Sequence, residues 1–297
     1  MNKILAVLNT QESAKFVLES ALALARVNRS SLHVYKPSYD TIYELNRYIG
    51  FDNYDELEQQ VVDLDNEWLK SLIHDLNVDD VSITYSASWS QKNHEGILEQ
   101  AKQQQSDLII KAADVHHRVA EIVRTPEEWR LLRDANCPVI LLRNKSIVEG
   151  ATIVAAINSL EDDEPHYELH RRVLTQATQL ADILKGKLIV TCAIPLIPYN
   201  VPYAIDLSMQ YPQLQESLQT RAQQAMQELL SKENIKADEV VIESGSVEDV
   251  LHRVCNRSDA ALLCIGTVAN KGLANILLGN TSERVVHHVD QSIMVVG

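Results

Sequence analysis

The sequence predicts two α/β domains in tandem, each a parallel sheet wound with helices. Three observations predict it. The chain has 297 residues, about twice the length of an ordinary domain. Short apolar and β-branched runs alternate with amphipathic stretches of helical period, the pattern of βαβ crossovers. That series also occurs twice in the same order, with a junction near NKSIVEG (144–150). The expected domains are residues 1–146 and 147–297.

The two halves keep step element by element. The first strands are KILAVLN (3–9) and TIVAAIN (152–158), both ending in asparagine. The helices that follow are SAKFVLESALALARV (13–27) and ELHRRVLTQATQLADILKG (168–186), the second closing at a glycine as helices often do. Second strands SLHVYKP (31–37) and KLIVTCAIP (187–195) end in proline. Third strands SITYSAS (82–88) and EVVIESG (239–245) lead into helices NHEGILEQAKQQ (93–104) and VEDVLHRVCNR (247–257). Fourth strands SDLIIKAA (106–113) and SDAALLCIGT (258–267) follow. Helix-plus-strand segments 126–143 and 281–297 close each half. The closing strands CPVILLR and SIMVVG are expected to join the domains edge to edge, covering otherwise open sheet edges.

Charge and composition exclude several classes. Acidic residues outnumber basic ones 41 to 27, for a net charge of −14. Such a field repels nucleic-acid phosphates and anionic membrane surfaces, so neither partner is expected. No window approaches the roughly 18 apolar residues of a membrane span, and the N-terminal run turns polar by Asn9. Cys137, Cys192, Cys255 and Cys264 form no CxxC pair and read as thiols of a reducing cytoplasm. A cytoplasmic location is the expectation.

In open α/β sheets the loops after strand C-termini form the binding edge. After ALLCIG the chain reads Gly266-Thr267-Val268-Ala269-Asn270-Lys271-Gly272, then LANILL, then Gly279-Asn280-Thr281-Ser282. Gly266 ends a strand and Gly279 opens a helix, whose free N–H groups attract anions. Asn280, Thr281 and Ser282 add hydrogen bonds and a helix cap. A di- or triphosphate suits that arrangement. Long links at 36–60 and 195–214 carry Tyr39, Tyr43, Tyr48 and Tyr54, then Tyr199, Tyr203 and Tyr211; such loops line a ligand or pack an interface.

These residues resemble the universal stress protein family. Its loop has glycine, two residues, glycine, nine residues, glycine and a small polar residue, and follows strand four of a five-stranded parallel domain. Gly266 and Gly279 match the outer glycines; Ala269 stands at the middle one and Asn280 at the polar position. The resemblance covers the whole chain and fits the tandem E-type branch. That branch shares GNT at 279–281 and a first-half segment matched by Thr125, Pro126, Trp129, Leu131, Leu132 and Arg133. It implies two Rossmann-like, adenine nucleotide alpha hydrolase-like domains, each with helices on both faces of its sheet. It also implies a role in stress response and survival.

Nucleotide-binding members hold ATP phosphates on the loop, with an aspartate at the end of the first strand. Asn9 and Asn158 stand there in this chain, which argues against metal beyond nucleotide-associated magnesium. Registering LIIKAA on LLCIGT sets Ala112 opposite Gly266, Thr125 opposite Gly279 and Pro126 opposite Asn280. The first half thus keeps the scaffold and loses the phosphate loop. The candidate nucleotide site is Asn158, Gly266, Thr267, Ala269, Gly279, Asn280, Thr281 and Ser282, and the cofactor is weakly bound ATP.

A second candidate crevice, in the first half, gathers Trp89, Lys111 and His116, with His94 and Glu95 nearby. A third is an apolar pocket at Tyr199, Tyr203 and Tyr211. His116-His117 and His287-His288 are not read as metal sites, because neighbours on a helix diverge by about 100°. Ser246 reads as a helix N-cap, and Glu161-Asp162-Asp163-Glu164 as a solvated charge run.

The chain lacks G-x-S-x-G, H-E-x-x-H and Walker patterns. The expected function is a small-ligand binding and signalling module, not a turnover enzyme, with ATP hydrolysis disfavoured. The alternatives are a binder of an apolar or amphipathic molecule under the tyrosine-rich loops, or a ligand-free interaction scaffold. The partners expected are a small molecule, the sister domain as an internal pseudo-dimer, and a second chain in a homodimer.

Overall fold

Four apolar residues behind an exposed lysine, KILAV, form the first strand, with little to distinguish their two faces because the sheet they join is covered on both sides. The computed structural model describes residues 1–39, 54–113, 126–143, 145–161, 163–196, 211–267, 284–286 and 288–297. The chain divides into two units, Met1–Val148 and Glu149–Gly297.

In the first unit β1 (Lys3–Val7) runs into α1 (Gln11–Asn28), then β2 (Ser31–Ser38) and α2 (Tyr54–Leu76). There follow β3 (Ile83–Trp89), α3 (Asn93–Gln104), β4 (Leu108–Ala112), α4 (Pro126–Asp134) and β5 (Val139–Leu142). The strands stand in the order β3-β2-β1-β4-β5, and every pair is parallel.

The second unit repeats this with β6 (Thr152–Ala156), α5 (Glu164–Ile183), β7 (Lys187–Ile194) and α6 (Tyr211–Lys232). It continues with β8 (Glu239–Ser244), α7 (Val247–Arg257), β9 (Leu262–Gly266) and β10 (Ser292–Val296). The order is β8-β7-β6-β9-β10, again all parallel. Each unit is therefore a five-stranded parallel sheet with helices on both faces.

The local signals have visible causes. Thr10 Oγ1 accepts from the Ser13 N–H at 3.3 Å and starts α1; Asp163 Oδ1 does the same for His166 N–H at 3.2 Å on α5. Ser246 caps α7 through the Asp249 N–H at 3.2 Å. Helices α1 and α5 both end through a left-handed residue, Arg29 at φ 53° and Lys185 at φ 48°. At Gly186 a Cβ would lie 1.9 Å from the Ala151 carbonyl oxygen, so the chain can turn there only as glycine.

The strands nearest each sheet's middle are almost wholly buried, from Ile4 to Val7 in β1 and from Leu262 to Ile265 in β9. Each aliphatic side chain so buried contributes about 1.5–3 kcal/mol. One polar cluster interrupts the first core. His33 Nδ1 meets Thr84 Oγ1 at 2.8 Å, and its Nε2 lies 2.9 Å from Ser86 Oγ and 3.0 Å from Gln100 Nε2. With the Gln100 amide nitrogen, which can only donate, facing the ring, Nε2 is the acceptor and Nδ1 carries the proton.

Candidate functional site

Parallel strands leave a crevice beyond their C-terminal ends, and in the second unit that crevice is open. A cavity of about 340 Å³ lies there, inside the size range of small-ligand sites. Ala156, Asn158, Ala193, Ile265 and Gly266 bring the ends of β6, β7 and β9 to it. Helices α5 and α7 supply Leu169, His170, Val173, Val247 and Leu251. Apolar carbon dominates the wall, and the described polar contributors are Asn158, Glu161, His166 and His170.

The polar groups are ordered by the start of α5. Asn158 Oδ1 accepts from the Leu160 N–H at 3.3 Å, and the Glu161 N–H donates to the Asn158 carbonyl at 3.2 Å. This tight turn sends Glu161 back toward the helix. His166 Nδ1 sits 2.6 Å from Asp163 Oδ2, and its Nε2 sits 3.1 Å from Glu161 Oε2. The hydrogen bond from His166 holds the Asp163 carboxyl below the usual carboxylate range.

One turn further along, the His170 ring stands 6.3 Å from that of His166. His170 is only 6% exposed. Burial first, and the neighbouring His166 second, push its pKa down to about 4, so the ring is neutral at physiological pH. It also walls a neighbouring hollow of about 300 Å³, where Arg221, Glu228 and Lys232 lie.

Several expected site residues take other parts. Gly266 does reach the cavity, but a Cβ there would lie 2.7–2.9 Å from three carbons of Leu169. The glycine is required by the packing of α5 over the strand end. Thr267 is buried, and its N–H donates to the Val296 carbonyl at 2.9 Å; that amide extends the β9–β10 ladder and is spent. Asn158 lies at the cavity as expected. Ala269, Gly279, Asn280, Thr281 and Ser282 lie outside the described residues, as do His116, Tyr199, Tyr203 and the side chain of Tyr211.

Among the described residues, Trp89 and Lys111 of the expected first-unit crevice are not brought together. Trp89 ends β3 and Lys111 lies on β4, separated in the sheet by β2 and β1. Three interstrand steps put about 14 Å between them. Trp89 packs on Tyr39, ring centroids 5.6 Å apart. Lys111 Nζ instead donates to the Ala112 carbonyl at 2.9 Å and to Glu128 Oε1 at 3.2 Å. Both side chains of that pair are at most 3% exposed. Beside them, lined also by His94 and Ile97, is a void of about 10 Å³.

The sequence pattern passed over Glu161, His166, Leu169 and His170. The available signal was the i, i+4 histidine pair in EPHYELH, whose second member falls on the apolar stripe of α5 with Leu169, Val173 and Leu174. Among the described residues no group of three or more His, Cys, Asp or Glu is arranged to hold a metal ion.

Comparison with known proteins decides the ancestry. A model of the universal stress protein family matches residues 1–143 and again 166–297. The chain belongs to the universal stress protein family. Its two domains are tandem copies of that unit. Universal stress protein E of Photorhabdus laumondii is 24% identical over 296 residues, covering 99% of this chain and 94% of that protein. The Escherichia coli K12 protein of the same name is 25% identical over 296 residues, covering 99% and 93%.

Among solved structures, a functionally unknown protein from Pseudomonas aeruginosa has a TM-score of 0.73 at 25% identity, covering 100% of this chain and 92% of that one. A universal stress protein from Archaeoglobus fulgidus shares the fold, with a TM-score of 0.66 at 15% identity and coverage of 99% and 97%. No described helix is long and apolar enough to cross a membrane.

Proposed function

We propose that this universal stress protein is a cytoplasmic ligand-binding module of the stress response. Its second domain holds a small adenine-containing molecule beyond the ends of β6, β7 and β9. The observation that carries this reading is the cavity of about 340 Å³ at that sheet edge, the place where open α/β sheets bind ligands. The free thiols Cys137, Cys192, Cys255 and Cys264 suit a reducing compartment.

Binding rather than turnover is the role proposed. The described lining includes no serine, threonine, cysteine or lysine that could act as a nucleophile. Glu161 and Asp163 are both engaged by His166. Occupancy would stabilise the folded domain by mass action and so report ligand concentration to whatever the protein touches.

The test is thermal shift and calorimetry with adenosine, AMP and ATP at up to millimolar concentration, with magnesium. At least one compound should raise Tm in proportion to log concentration. Ala156→Phe, which fills the cavity from the end of β6, should abolish that shift without lowering the ligand-free Tm. Three flat titrations would end the proposal.

A further inference from the structure

The cavity carries information about the charge of what it accepts. His170 is 94% buried by its 6% exposure, yet among the described residues its ring nitrogens have no hydrogen-bond partner. The ring lines the cavity and its nitrogens are not among the fully enclosed unpartnered atoms, so they open on that space, where a seated molecule can take the place of solvent as their partner. A neutral imidazole offers one donor and one acceptor, the complement of the edge of a purine or a similar heterocycle. Ile157, Leu169, Val173, Leu251 and Val285 provide the apolar surface that such a flat ring would cover.

The same wall is poorly suited to phosphate. Among its described residues there is no lysine or arginine, while Glu161 supplies a carboxylate. Helix starts at this edge ordinarily attract anions. The two helices that line the cavity carry their own acids there, Asp163 and Glu164 on α5 and Glu248 and Asp249 on α7, while α6 has none in its first turn. At the strand end where a phosphate would approach, Leu169 sits over Gly266 and the Thr267 N–H is bonded to Val296.

Resting on the adenine-site reading above, we infer that the cavity recognises an uncharged planar heterocycle of nucleoside type through His170 and discriminates against its phosphorylated forms. Leu169 and Glu161 set that discrimination, one by excluding the phosphate from the strand end and the other by repelling it.

Calorimetry at pH 7.5 with adenosine, AMP and ATP, each with and without magnesium, tests the inference on the full chain. Adenosine should bind at least tenfold more tightly than ATP, with AMP between them. Glu161→Gln should narrow that gap severalfold. His170→Phe should weaken adenosine at least tenfold while a urea melt shows the domain folded. His170→Gln, which restores a donor and an acceptor, should recover part of the loss and serves if the phenylalanine variant does not fold.

ATP bound as tightly as adenosine, or more tightly, overturns the inference and leaves the adenine site standing. Adenosine affinity unchanged in both His170 variants overturns the role given to that residue. Absence of binding by all three compounds removes the adenine site itself, and the inference with it.

Discussion

The two domains share a strand order and differ at the one edge where that order creates a crevice. In the second domain the edge holds a cavity of about 340 Å³. In the first, the void beside β4 is about 10 Å³, room for about one water molecule. The first domain has filled its edge from within: Lys111 on β4 reaches Glu128 on α4, and both are buried. The second domain has Ile265 at the register position of Lys111, and Ile265 lines the cavity. One scaffold thus carries, among the described residues, a packed ion pair at one strand end and an open cavity at the corresponding end of its copy, and the receptor role proposed above belongs to the second. The choice is made by a few side chains at the strand ends, in keeping with function residing in sites grafted on folds.

Breaking the closed edge should produce the largest effect. Glu128→Leu or Lys111→Met breaks the buried ion pair from one side, a loss of about 3–5 kcal/mol. Replacing both, as Lys111→Met with Glu128→Leu, should recover most of that loss, because desolvation offsets much of an ion pair's attraction. Urea melts of the two single variants and the double variant check this through the coupling energy. Additive losses would show that the pair does not close the edge.

How far the sequence revealed this contrast depends on the kind of feature. Strand–helix alternation, the Ser246 cap, the glycine turn at Gly186 and the position of Lys111 on a strand are local patterns, and the structure has them. The cavity is not local. A left-handed residue closes the turn after each of α1 and α5, Arg29 and Lys185. Counting back from those residues sets His170 opposite Ala14 and Leu169 opposite Ser13. The second domain also has a longer connection from first strand to first helix, ending in the acidic run that contains Glu161. That run reads as solvated, and its described residues are exposed in the structure; what the sequence did not show is that Glu161 pairs with His166 across the Asp163 cap. Gly266 reaches the cavity as the sequence suggested, but its packing against Leu169 was not legible, because a glycine needed for helix packing and one needed for a phosphate are the same letter.

The acid response should sharpen the contrast next. An unfolded histidine titrates near 6.5, whereas His170 in the fold titrates near 4. Its folded pKa is lowered, so the unfolded chain binds the proton first. The stability linked to the neutral ring is complete above pH 6.5, declines as pH falls from 6.5 to 4, and changes no further below. The size is on the order of 2 kcal/mol, given 1.36 kcal/mol per pKa unit and some relief by solvent. Burial lowers the pKa of His33 and His94 in the first domain in the same sense. The informative measurement is therefore a difference. Urea stability from pH 7.5 to 4.5 should fall less in His170→Gln than in the parent chain, and equal slopes would contradict a buried neutral ring at the cavity.

The smallest effect concerns the glycine at the strand end. Gly266→Ala places a methyl against Leu169 and should cost about 1–3 kcal/mol, the usual range for overpacking. In a Leu169→Ala background the same substitution should cost much less, since the carbons it meets are gone. The first domain supplies the control. Its register counterpart is Ala112, buried on β4, with the small Ser13 at the position of Leu169. Ala112→Gly should therefore cost only the loss of about 0.5–1 kcal/mol expected for glycine within a strand. A penalty at Gly266 that persists undiminished without the Leu169 side chain would mean that backbone conformation, rather than the packing of α5, requires the glycine. Leu169 would then not be what keeps phosphate from that strand end, and the discrimination would fall to the carboxylate of Glu161 alone.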